Sequence, residues 1–61
     1  MVSLQTMTYN ACKKVIQNTT YTSQAQKDEM QQKLDVFLLN DRITQDQYTE
    51  LTNLLADKPI V

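Results

Sequence analysis

The stretch LDVFLLNDRITQDQYTELTNLL, Leu34 to Leu55, decides the fold. It reads as the end of one helix, a tight connection and a complete second helix. Thr44 precedes a polar, helix-forming run, and Gln47 follows three residues later. That is the spacing of a capping box: the Thr44 hydroxyl accepts a backbone N–H near Gln47, and the Gln47 side chain reaches back to the N–H of Thr44. Ile43 and Tyr48 stand on either side of the box, where they can meet as a hydrophobic staple. The link Asn40-Asp41-Arg42 is short enough to make the flanking helices neighbours in space.

Working outward, the helix before the link is predicted over about 24 to 39. Met30, Leu34, Phe37 and Leu38 form its apolar stripe. Val36 and Leu39 fall off that stripe, so this helix has apolar residues on two sides. It then touches either the two other helices or one of them and another subunit. Ser23 and Gln26 repeat the capping-box spacing, with Thr22 as the rival N-cap. The helix after the link is predicted over about 45 to 56, with Tyr48, Leu51, Leu54 and Leu55 on its buried side. Pro59 disfavours helix at Lys58, so residues 57–61 form an extended tail. A first helix is predicted over about 3 to 18, with Ser3 as N-cap. Leu4, Met7, Ala11 and Val15 mark its apolar face, widened by Cys12 and Ile16. The chain contains no glycine. Asparagine is the next best residue for a left-handed helix end, and Asn18 and Asn40 are both read as C-terminal caps. The fold class is therefore all-α: one domain over residues 1–61, three short helices, the second and third forming an antiparallel hairpin.

Composition narrows the function classes. The 61 residues carry a net charge of −1, with no histidine and one cysteine. No catalytic residue, cofactor site or metal-ligand cluster is expected, and an enzyme is not the reading. Cys12 beside Lys13 and Lys14 resembles an activated thiol, but its place next to an apolar face predicts a packed, inert one. The second and third helices have helix-turn-helix lengths. The would-be recognition helix, however, carries Asp46 and Glu50 with no lysine or arginine, so it repels phosphates and nucleic acid is not an expected partner. No apolar run approaches the roughly 18 residues of a membrane span. The opening MVSLQTMTYNACKK shows no basic-then-apolar leader pattern, which predicts an intracellular protein with a reduced Cys12.

At this length a chain buries only about 60% of the surface its unfolded form exposes, so a lone monomer has little margin. With no disulfide or metal available, a second copy or another protein is the expected stabiliser. The interface candidates are Val36 and Leu39, which point away from the hairpin, and Tyr9 and Tyr21, since tyrosine is enriched in interfaces.

The stretch Ile43, Thr44, Gln47, Tyr48, Glu50, Leu51 resembles the ending of XkdX-like proteins from the tail and lysis region of phages and prophages of Gram-positive bacteria. It is also similar to the step between two helices in the short C-terminal oligomerisation module SHOCT. It departs from the latter in having Asn40-Asp41-Arg42 where a glycine turn is usual and Gln47-Tyr48 for Glu-Phe. The resemblance covers about a third of the chain. It implies a non-enzymatic phage accessory protein, a structural or assembly adaptor in the host cytoplasm or the virion. Its partners would be itself, as a homo-oligomer, or a larger virion or lysis protein. The alternative is a small phage-encoded regulator or inhibitor of a host protein.

Overall fold

The computed structural model describes residues 3–61. Met1 and Val2, where the segment inspected for a leader begins, lie outside the described residues. Three helices follow one another: α1 (Leu4–Asn18), α2 (Gln24–Leu39) and α3 (Gln45–Asp57). Each start has a side-chain explanation. At α1 the Ser3 hydroxyl accepts the Thr6 N–H at 3.1 Å. At α3 the predicted box is complete: Gln47 N–H donates to Thr44 Oγ1 at 3.1 Å, and Thr44 N–H donates to Gln47 Oε1 at 2.9 Å. Ile43 is buried and Tyr48 packs against the same core, as a staple requires. At α2 Ser23 is the N-cap by backbone geometry but makes no capping bond. Gln26 instead accepts the N–H of Thr22 at 2.7 Å, so only half a box forms.

The helix ends differ from expectation. Asn18 is still helical, and the C-cap is the extended Thr19, whose hydroxyl donates to the Val15 carbonyl at 2.6 Å. Asn40 does cap α2, but the left-handed residue is Asp41, at φ 57°. Asp41 N–H donates to the Leu38 carbonyl at 3.1 Å and Arg42 N–H to that of Phe37 at 2.8 Å. These two bonds are the Schellman pattern, in which the residue one past the cap takes positive φ. Asn40 serves from the cap itself: its backbone N–H and its side-chain amide both donate to the Val36 carbonyl, each at 3.0 Å.

Hydrogen bonds between helices give the topology. Tyr48 meets Asp35, Thr52 meets Gln31, and Lys27 reaches the Ala56 carbonyl. As one residue number rises by four the other falls by four, so α2 and α3 are antiparallel, as the hairpin predicts. Tyr9 meets Glu50 and Lys58 meets the Gln17 carbonyl, so both numbers rise together and α1 runs parallel to α3. Helix α3 packs against both α1 and α2, which do not approach each other closely. The result is a flattened body of 38 × 20 × 13 Å.

The core consists of Cys12, Ile16, Tyr21, Met30, Leu34, Ile43, Leu51 and Leu55. Tyr21 is the surprise in this set, because it lies in the connection between α1 and α2. The tail explains it. Ile60 pairs with Tyr21 as a parallel bridge, and Val61 N–H donates to the Tyr21 carbonyl at 2.9 Å. The extended tail thus ties the connection down with Tyr21 beneath it.

Two substitutions test these ends. Thr44→Ala removes one capping acceptor and should destabilise by about 0.5–2 kcal/mol in urea or thermal melting. Asp41→Gly removes the Cβ clash of a left-handed residue and should stabilise by about 0.5–1 kcal/mol, since the bonds of the turn use backbone groups.

Candidate interaction surface

Helix α1 turns a different side to the core from the one its pattern predicts. Cys12 and Ile16 are buried, with Tyr9 packed against them. Leu4, Met7 and Val15 are 57%, 57% and 52% exposed, and Ala11 is exposed with them. The two apolar rows lie roughly 100° apart around the helix, so one neighbour covers only one of them. Polar bonds select the row. Gln5 Nε2 donates to the Asp41 carbonyl at 3.1 Å, and the Tyr9 hydroxyl donates to Glu50 Oε2 at 2.6 Å. Both turn the Cys12–Ile16 side onto α3 and leave the Leu4–Val15 row outside.

On α2, Val36 is 52% exposed and Leu39 is 83% exposed. The first helix covers neither. Tyr9 is half-buried and engaged on α3, with the Lys13 ammonium 5.9 Å from its ring centroid. Tyr21 is 3% exposed, so it is a core residue and offers no face to a partner. Of the side chains singled out from sequence, the structure therefore leaves Val36 and Leu39 open and uses both tyrosines internally. The row Leu4, Met7 and Val15 was visible in sequence as an apolar row; that it faces outward was not.

A shallow concavity between α1 and α2 is lined by Val15 and Thr19 at the end of α1, by Tyr21, and by Gln26, Glu29, Met30 and Lys33 of α2. Separate hollows lie against the end of α1, beside Ala11 and Val15, and against α2 alone, beside Val36 and Phe37. On the opposite flank of α2 the surface is polar. There the Tyr48 hydroxyl donates to Asp35 Oδ1 at 2.5 Å and accepts from Gln31 Nε2 at 2.9 Å, locking α2 to α3. Among the described residues no group of three or more His, Cys, Asp or Glu side chains is placed to hold a metal ion, and no helix is long and apolar enough to cross a membrane. Burial pushes the Cys12 thiol above its ordinary value, which leaves little thiolate at neutral pH.

The hydrogen bonds to Glu50 and Asp35, with burial adding to them, hold the Tyr9 and Tyr48 phenols above their ordinary value. A folded-state value raised above the unfolded one adds stability that is full below about pH 10 and is lost as pH rises through the folded value. Urea melts should therefore show stability falling above about pH 10. Replacing both residues by phenylalanine should flatten that fall relative to the parent.

No family model, curated protein or solved structure matches this chain.

Proposed function

We propose that this protein is a non-enzymatic phage adaptor that acts through protein–protein contacts and associates with itself. The observation that carries the reading is the apolar surface left open on two helices of so small a body. Leu4, Met7 and Val15 on α1 and Val36 and Leu39 on α2 are all more than half exposed. Isolated exposed apolar residues are ordinary, but a row of them along one helix face, as on α1, marks an interaction site. The resemblance of the Ile43–Leu51 stretch to phage tail-region and oligomerisation modules supports the setting. The partners under this reading are a further copy of the chain and a larger virion or lysis protein, in the host cytoplasm or the particle.

Sedimentation of the purified protein at tens of micromolar should show an assembly larger than the monomer. Val36→Glu combined with Leu39→Glu should reduce it to a helical monomer. A stable, cooperative parent monomer at that concentration would overturn self-association. Mass spectrometry of purified virions tests the setting: absence from particles, with a host protein co-purifying instead, would replace the adaptor by a regulator of that host protein.

A further inference from the structure

We infer that residues 58–61 form a latch: a segment that detaches as a unit while the three helices stay folded, and whose detachment brings Tyr21 from the core to the surface. The latch is a device of the single chain and does not depend on self-association. Three observations carry it.

The first is what the segment holds. Lys58 leaves α3 in an extended conformation, which the following Pro59 favours. The connection that the segment meets is extended too, at Thr19 beyond α1 and at Ser23 before α2. There Tyr21 and Ile60 pair as a parallel bridge, and Val61 N–H donates to the Tyr21 carbonyl at 2.9 Å. Two ammonium groups fasten the other end. Lys27 in the first turn of α2 donates to the Lys58 carbonyl at 2.8 Å, and Lys58 donates to the Gln17 carbonyl of α1 at 3.2 Å. Four residues thus fasten the end of α1, the start of α2 and the connection between them to the end of α3.

The second is how the segment is held. Pro59, Ile60 and Val61 are exposed, Val61 at 72%, and none of them belongs to the core. The grip is therefore polar: three hydrogen bonds and one bridge, with little apolar burial behind them. Segments held by few buried apolar contacts and by exposed backbone bonds open locally, at a fraction of the cost of global unfolding. The helices rest instead on Ile16, Leu34, Leu51 and Leu55, and opening the latch removes none of these.

The third is what the segment controls. Tyr21 is buried although it lies in a connection, and it lines the concavity between α1 and α2 with Val15 and Met30. Release of the bridge and of the Val61 bond frees the backbone at Tyr21, and the phenol then gains by returning its hydroxyl to water. Closed, the latch keeps this ring in the core. Open, it places a tyrosine beside the exposed Val15 and changes the character of that surface.

Amide exchange of the full chain, resolved by NMR, tests the latch without any substitution. Relative to intrinsic rates, the Val61 amide should exchange about tenfold or more faster than those of Leu51 and Leu55. Equal protection would place the segment in the global unfolding unit and overturn the inference. The uncovering of Tyr21 is read by acetylation with N-acetylimidazole, mapped by mass spectrometry. Val61→Pro removes the N–H that the Tyr21 carbonyl accepts and keeps an extended backbone. It should raise Tyr21 acetylation about fivefold, the equivalent of one hydrogen bond, while circular dichroism and the acetylation of Tyr9 and Tyr48 stay parental. An unchanged Tyr21, or one that rises only together with Tyr9 and Tyr48, would overturn the latch. Should Val61→Pro lose helix, Lys27→Met releases the other end of the segment and supplies the same reading, and parental Tyr21 acetylation there would overturn the inference.

Discussion

Leu51 and Leu55 of α3 are buried because α3 is the one helix against which both others pack. The rest of the molecule depends on that placement. Burial of an apolar side chain removes it from water and stabilises by about 1.5–3 kcal/mol. Here the buried residues come from every helix, from the first connection through Tyr21 and from the second through Ile43. A chain of this length has no second core to fall back on. The polar bonds that flank the core then set how each outer helix is turned. Gln31 and Asp35 lock α2 through the Tyr48 hydroxyl, and Glu50 locks α1 through that of Tyr9.

A chain without glycine must still satisfy the carbonyl ends of three helices, and it uses side chains from elsewhere to do so. The Lys27 ammonium donates to the carbonyls of Ala56 and Lys58 at the end of α3, at 3.4 and 2.8 Å. The Lys58 ammonium donates to the Gln17 carbonyl at the end of α1, at 3.2 Å. A cation at a helix C-terminus is also favoured by the helix dipole. Each of these lysines ties two elements together, so capping and tertiary structure are the same set of contacts. The end of α2 is closed by its own turn, with the Asn40 amide on the Val36 carbonyl and Asp41 in the left-handed conformation that glycine would adopt more easily.

Because α1 and α2 both lean on α3 and not on each other, the surface between them stays open. Val15, which a closed three-helix bundle would cover, remains exposed there.

Much of this fold was legible before any coordinates. The capping box at Thr44–Gln47, the Ile43–Tyr48 staple, the hairpin and the helix bounds all follow from local rules, since caps and periodicity involve residues within a turn or two of one another. That Val36 and Leu39 lie off the stripe that the hairpin buries was legible for the same reason; that α1 leaves them uncovered was not, because it depends on where α1 packs. Two features were decided only by tertiary structure. The rotation of α1 was one, because the helix carries two apolar rows and the bonds that choose between them reach Asp41 and Glu50, far along the chain. The burial of Tyr21 was another, because it depends on a strand-like bridge to Ile60 that no local pattern announces. The left-handed turn at Asp41, one residue beyond Asn40, is local by contrast: the 2.8 Å bond from Arg42 back to Phe37 closes it, but with aspartate in place of glycine the sequence does not mark the position.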